Sequence, residues 1–473
     1  MKSLALSSLI LLAWDSLAQT INEIWETTAD QKSLLKSVTS TNFTFGSNVG
    51  SGDGEIDVDD GTVYQTIFGF GATLTDASAY TLNKLKGKDA GAYAALLKSM
   101  FDSTPGAHSA SINYVRVAIG ASDFSPEDYS FNDEKDPNLS SFSVDIAPPY
   151  LYSTLKDIQV VNKNIRIHLV PWSPPGWMKD SGSMNAGNLL EEYTDTMAHY
   201  LLKSAQGFES KGFRPYAISI QNEPESQNPT LPSCLYTTKA QAGVAVSLRK
   251  LLDSNGMNDV KVIGYEHNWD NAATYASELL REDGASDAFS GVAFHCYGGN
   301  VKQQDDWHNS FPDKELYFTE CTGTVGSDFW NDIKWTTSNI FIGGLKHWAQ
   351  TGLMWNLVVD PEGNPKLPGA SSCGNGCRGV VQIESDGKVQ LNQEYYAMGH
   401  AAKAILYGNQ PTKRIKVNVN GDALLGGAYS NGSGFSLVVL NSGDDYLKTS
   451  IKFRGKTAMY TFPVGLTTMS WSA

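Results

Sequence analysis

Tyr216-Ala217-Ile218-Ser219-Ile220-Gln221-Asn222-Glu223-Pro224 is the stretch on which the reading of the fold turns. The Tyr and the two Ile suit a strand interior, and Pro224 ends the ladder because it has no N–H to donate. Glu223 is thereby placed at the C-terminal tip of a strand, beside an amide side chain. Glu315-Leu316-Tyr317-Phe318-Thr319-Glu320-Cys321-Thr322-Gly323 has the same design: an apolar strand, then Glu, then a loop. Taken singly, each Glu also fits a solvated strand end. Two such carboxylates together are what acid/base plus nucleophilic hydrolysis of a glycosidic bond needs.

Further strand-like runs lie on either side. They are Thr66–Phe70, Tyr114–Ile119, Ile165–Pro171, Val260–Tyr265, Val292–Tyr297 and Leu353–Val358; with Tyr216–Ile220 and Leu316–Thr319 they make eight. Helix-like stretches fill most gaps, among them Ala90–Met100, Glu191–Ser210, Lys239–Asp253, Asn271–Arg281, Asp328–Gln350 and Gln393–Leu406. Strands alternating with helices predict an α/β chain with a (β/α)8 TIM barrel. From Tyr407 the pattern becomes short alternating strands broken by Gly, Asn and Asp, which predicts an all-β sandwich side domain. The expected organisation is a signal peptide at 1–18, N-terminal strands of the sandwich at 19–62, the barrel at 63–406 and the rest of the sandwich at 407–473.

The residues after each strand are the ones that matter, because barrel sites form at the C-terminal strand ends. The first tip carries Phe68-Gly69-Phe70-Gly71-Ala72-Thr73-Leu74-Thr75-Asp76. Leu74 stands where a dinucleotide fingerprint needs its third Gly, so a Rossmann reading fails. The other tips carry Arg116 and Asp123, Trp172 to Lys179, Asn222 and Glu223, Glu266 to Trp269, His295 to Tyr297, Glu320, and Trp355 with Asn356. Carboxylates, amides, imidazole, one arginine and indoles suit a polyhydroxylated ring. Phosphate would want Gly-rich loops and basic groups. Alone, His295 also fits a structural histidine, and Arg116 fits an ion-pair partner that holds a carboxylate ionised.

Composition narrows the partners. A net charge of −14 argues against nucleic acid and anionic membrane surfaces. Met1-Lys2, the apolar run from Leu4 to Trp14 and the small residues before Gln19 read as a secretion signal cleaved after Ala18. Some of the five Cys should then be paired, with Cys373–Cys377 the best local candidate and a buried free thiol expected at Cys296 or Cys321. Sequons stand at Asn42, Asn138 and Asn431.

The ordered tips resemble those of glycoside hydrolase family 30, which holds glucosylceramidases, fungal endo-β-1,6-glucanases and xylanases. The matching stretches are Phe68 to Ala77, Arg116 with Asp123-Phe124-Ser125, Pro171 to Lys179, Gln221-Asn222-Glu223-Pro224, His267-Asn268-Trp269, His295-Cys296-Tyr297, Thr319-Glu320-Cys321, Trp355 to Val358 and Tyr395 to His400. The resemblance implies Glu223 as acid/base, with Asn222 binding the sugar 2-hydroxyl, and Glu320 as nucleophile. It places Asp123, Trp172 and Trp355 around the sugar under attack, and Arg116, His295 and Tyr297 near the nucleophile. It implies retention of configuration, carboxyls about 5–5.5 Å apart, and Glu223 protonated beside an ionised Glu320. No metal or organic cofactor is implied. The expected protein is a secreted monomer acting on β-glucan, most like the fungal β-1,6-glucanases. A glucosylceramidase, a xylanase and a non-catalytic carbohydrate binder are the alternatives.

Overall fold

The computed structural model describes residues 20–38, 43–47, 50–370, 376–406, 408 and 410–472. The expected signal segment, the Asn42 sequon and Cys373 lie outside these. Eight parallel strands form the barrel: β1 (Gly69–Thr73), β2 (Tyr114–Ile119), β3 (Arg166–Pro171), β4 (Ala217–Ser219), β5 (Lys261–Asn268), β6 (Gly291–His295), β7 (Glu315–Glu320) and β8 (Thr351–Asn356). They pair in the order β7-β6-β5-β4-β3-β2-β1-β8. Side chains complete the seam between β7 and β8. Thr351 Oγ1 accepts from Phe318 N at 2.9 Å and donates to Phe318 O at 3.0 Å, while Gln350 Oε1 accepts from Leu316 N at 3.1 Å.

Most strand bounds move by one to three residues from the sequence reading, and two of the shifts have a bearing on the site. β4 is shorter than Tyr216–Ile220, and β1 begins at Gly69 rather than Thr66. The reason lies upstream: strand Gly54–Thr66 belongs to the side domain, and the chain crosses into the barrel through Ile67 and Phe68. Gly71 is needed there for close approach, since a Cβ would come within 1.8 Å of Tyr114 O.

The barrel interior is layered. Phe68, Tyr114, Tyr216 and Tyr317 fill the N-terminal end, with ring centroids 5.7–5.8 Å apart. Above them the filling turns polar. His168, fully buried, meets Tyr114 Oη at 3.2 Å through Nδ1 and Ser219 Oγ at 2.7 Å through Nε2. Ser219 in turn donates to Glu266. Burial holds the His168 ring neutral, down at about 4. A neutral ring can accept from Tyr114 and donate to Ser219, so the chain of bonds runs in one direction toward Glu266.

The side domain is one continuous sheet of ten strands that folds over its own core. Phe435 (strand Gly434–Asn441) and Phe453 (strand Leu447–Phe453) lie four places apart in the sheet order, yet their rings are 4.7 Å apart. The first described strand, Thr20–Thr28, pairs antiparallel with the last, Gly465–Ser472. His400, on the barrel's last helix (Gln393–Lys403), reaches both of them, meeting Thr27 Oγ1 at 2.9 Å and Thr468 Oγ1 at 2.8 Å. The sequon at Asn431 is buried in a turn, where Asn431 Oδ1 accepts from Ser433 N and Gly434 N, whereas Asn138 is exposed.

Candidate active site

Each tip leaves its strand by a specific device. After β4 the chain leans between its neighbours: Asn222 N donates to Pro171 O at 2.9 Å and Glu223 N to Glu266 O at 3.0 Å. Glu223 sits in the left-handed region at φ 47°. On β5 both Tyr265 (φ 63°) and Glu266 (φ 67°) are left-handed, at a break in register with β6. Such a bulge re-aims side chains, and here Glu266 goes inward while His267 faces Glu223. Non-Gly residues at positive φ cost of order 1–3 kcal/mol each and cluster at functional sites.

Asp123, Trp172, Asn222, Glu223, Tyr297, Glu320 and Trp355 line one cleft of about 830 Å³ at the C-terminal strand ends. Trp172 and Trp355 stack at 5.0 Å to make an aromatic wall, the surface that suits the C–H face of a sugar. Arg116 and His295 do not line this cleft. Both are fully buried beneath it. Arg116 Nη1 binds Glu320 Oε2 at 2.6 Å, while Nη2 binds Asn222 Oδ1 at 2.6 Å and Glu266 Oε1 at 3.0 Å. Its guanidinium lies 4.7 Å from the Trp172 ring centre. Tyr297 Oη donates to Glu320 Oε1 at 3.0 Å, so both oxygens of Glu320 are held. His295 sits beside the other carboxylate, its Nδ1 3.2 Å from Glu223 Oε1 and its Nε2 3.6 Å from Glu266 Oε1.

Two residues of this constellation were not among the expected site residues. Glu266 is a fully buried anion shared by Arg116, Ser219 and His295. Burial would raise its carboxyl, but the Arg116 charge and the His295 contact hold it well below the usual range. His267 Nδ1 lies 3.8 Å from Glu223 Oε1 and has no hydrogen-bond partner among the described residues. Glu266 ends an apolar run just as Glu223 and Glu320 do, and that signal could have found it.

The protonation pattern departs from expectation. Burial disfavours the charged His295 ring, but the Glu320 charge, the bond to Glu223 and the nearby Glu266 carboxylate outweigh it and push His295 up to about 9. Burial would raise Glu223, yet His295, His267 and Arg116 hold it below the usual carboxylate range. The surroundings thus favour the charged form of the His295 ring and the ionised form of Glu223. Asp123 goes the other way: burial, then the Glu320 and Glu223 charges, push it up to about 8.

At both Asp123 and His295 the native chain holds a proton that the unfolded chain has lost, between 3.8 and about 8 for Asp123 and between 6.5 and about 9 for His295. Stability therefore falls as pH rises through these windows. The His295 contribution is whole below pH 6.5 and lost as pH passes about 9. Guanidinium unfolding at pH 6, 7.5 and 9 should show this decline. Asp123→Asn should flatten its lower part and leave the step above pH 8 in place.

A disulfide joins the tips of β6 and β7. Cys296, next to His295, binds Cys321, next to Glu320, across a sequence separation of 25. This overturns the expectation of a free thiol there; the described free cysteine is the buried Cys234. Cys377 is also disulfide-bonded, and Cys373, its expected partner, lies outside the described residues. Replacing Cys296 and Cys321 together by Ala is expected to lower unfolding free energy by about 3 kcal/mol, from the closed-loop length, as read by the urea midpoint.

A barrel with two carboxylates facing one cleft at the tips of β4 and β7, beside an aromatic wall, defines a glycoside hydrolase. The chain belongs to glycosyl hydrolase family 30: the family's TIM-barrel domain matches residues 67–404. It is 31% identical over 398 residues to the endo-1,6-β-D-glucanase of Neurospora crassa, covering 80% of this chain and 77% of that one. It is 30% identical over 368 residues to endo-1,6-β-D-glucanase BGN16.3 of Trichoderma harzianum, covering 73% and 70%. The solved structure of the endo-β1,6-glucanase BT3312 shares the fold, with a TM-score of 0.87 at 24% identity over 95% of this chain and 99% of that one.

Proposed function

We propose that the protein is a secreted, retaining endo-β-1,6-glucanase, with Glu320 as nucleophile and Glu223 as acid/base. The observation that carries the roles is the unequal treatment of the two carboxylates. Glu320 is clamped through both oxygens by Arg116 and Tyr297, which fixes its position and aim. Glu223 is bonded to a proton-bearing imidazole. Glu320 attacks the anomeric carbon while Glu223 protonates the departing glycosidic oxygen. The proton held at rest on His295 reaches that oxygen through Glu223. In the second step Glu223, now a carboxylate, takes a proton from water as the water attacks the glycosyl–Glu320 ester, and Glu320 leaves. Asn222, fixed by Arg116, faces the sugar 2-hydroxyl, and Trp172 with Trp355 supports the ring.

The 1,6-linkage rests on the two fungal relatives. A lipid aglycone would want apolar side chains free at the cleft. Phe311, Phe329 and Trp330 are partly buried and packed against the core. Secretion is supported by the N-terminal segment and by disulfide bonding at Cys296, Cys321 and Cys377, which suits an oxidising compartment. The test is reducing-sugar release from linear β-1,6-glucan beside β-1,3-glucan, xylan and glucosylceramide, with proton NMR of the first product. Release from β-1,6-glucan alone, with the β-anomer appearing first, is expected. Activity confined to glucosylceramide or xylan would overturn the substrate, and an initial α-anomer would overturn the mechanism.

A further inference from the structure

Glu223, His267 and His295 bring one carboxylate oxygen and two imidazole nitrogens within 4.8 Å of one another. We propose that these three side chains form a binding site for a divalent transition metal of the zinc class, and that occupancy switches the enzyme off by taking Glu223 out of proton transfer. The switching half of this rests on the acid/base reading of Glu223; the binding half does not.

Four observations support the site. First, the spacing is close to what a tetrahedral ion requires. Bonds of about 2.0–2.2 Å put neighbouring ligand atoms about 3.3–3.5 Å apart. Glu223 Oε1 lies 3.2 Å from His295 Nδ1 and 3.8 Å from His267 Nδ1, and all three ligand atoms lie within 4.8 Å of one another, so each of the two edges at Glu223 needs under 1 Å of adjustment. Second, His267 Nδ1 is buried and makes no hydrogen bond within the described residues, although it points at a carboxylate. At 3.8 Å it is too far to bond Glu223 directly, but an ion between the two would satisfy both. Third, the three ligands come from the tips of three adjacent strands, β4, β5 and β6. They are held by the left-handed backbone at Tyr265 and Glu266 and by the Cys296–Cys321 bridge beside His295. Fourth, the surroundings carry excess negative charge. Glu266 and Glu320 lie behind the ligands with Arg116 between them, and the proton that His295 holds at rest is released to solvent as the ion binds, so affinity should rise with pH.

Two imidazoles and one carboxylate are a zinc-type donor set that leaves a fourth position open. Glu223 and His267 both line the cleft, so that position faces the path by which an ion would enter. Nitrogen ligands favour Zn²⁺ or Cu²⁺ over Mg²⁺ and Ca²⁺, which prefer oxygen.

The experiment is calorimetric titration of Zn²⁺ into the whole protein, repeated for His267→Gln and His295→Gln, with Mg²⁺ as the control ion. One Zn²⁺ per chain, no saturable Mg²⁺ binding, and a loss of at least about tenfold in Zn²⁺ affinity in each variant are expected. Because His295 is buried and its variant is the one exposed to misfolding, electron paramagnetic resonance of Cu²⁺ on the unaltered protein supplies a second readout, with two nitrogen ligands expected. Activity on β-1,6-glucan should fall with Zn²⁺ occupancy and return with a chelator. No saturable Zn²⁺ binding, or binding that both variants leave unchanged, would overturn the site. Zn²⁺ bound at these residues with hydrolysis undiminished would overturn the switch. If no glycan is hydrolysed at all, the acid/base reading fails while calorimetry and resonance still decide the site.

Discussion

Glu320→Gln is expected to lower kcat on β-1,6-glucan by at least about 10⁴-fold, the scale seen when a covalent nucleophile is removed. The amide cannot form the glycosyl ester, and it offers Arg116 and Tyr297 a neutral partner in place of a charge. The fold should survive, because Gln keeps the shape and one acceptor. An unfolding midpoint near the wild type, together with the lost activity, would separate chemistry from stability. Glu223→Gln gives a diagnostic contrast. Its first step fails on a natural glycan, whose leaving oxygen needs a proton, but proceeds on an aryl glycoside whose leaving group needs none. The glycosyl-enzyme should then accumulate, and added azide should discharge it as a β-glycosyl azide. A Glu320→Gln protein with near-normal turnover would remove the assignment.

Arg116→Met is expected to cost about 3–5 kcal/mol of stability, the range for breaking a buried ion pair by deleting one partner. Arg116 is fully buried, and two carboxylates depend on it: Glu266, also fully buried, and Glu320, almost so. Met fills much of the volume and keeps apolar contact with Trp172, so packing is not the main loss. What remains is uncompensated negative charge under the cleft floor. The loss should shrink at low pH, where the stranded carboxylates can be protonated. Unfolding by guanidinium at pH 7 and pH 4.5 measures both parts. A loss under 1 kcal/mol at pH 7 would mean that the surrounding carboxylates do not rely on this guanidinium.

The barrel could be read from apolar runs because strands buried on both faces leave uninterrupted Val, Ile, Leu and aromatic stretches. Tyr114–Ile119 is the cleanest case, with predicted and observed bounds identical. β1 was misplaced because its interior is Gly69-Phe70-Gly71, and glycine is there for close approach to β2 rather than for strand propensity. Glu223 and Glu320 were visible because each ends an apolar run. Glu266 ended a run as well, but its inward turn depends on two consecutive non-Gly residues at positive φ, which no local pattern announces. In the sequence the short Gly-rich loop at Cys373 to Cys377 favours a local pairing over the Cys296–Cys321 bridge. The barrel itself held the better clue, since consecutive strands are neighbours and their tips lie side by side.

The pairing of Thr20–Thr28 with Gly465–Ser472 bears on how the chain comes off the ribosome. Synthesis delivers the first of these strands long before the second, and the whole barrel emerges in between. Until Gly465–Ser472 appears, Thr20–Thr28 has only the short pairings with Lys36–Ser37 and Phe43–Thr44, and its long edge has no partner. The side domain thus closes last, as a clasp whose two halves are the first and last described strands. A stop codon before Gly465 should yield a chain with its barrel strands intact but with the long edge of that early strand open, a species suited to chaperone capture.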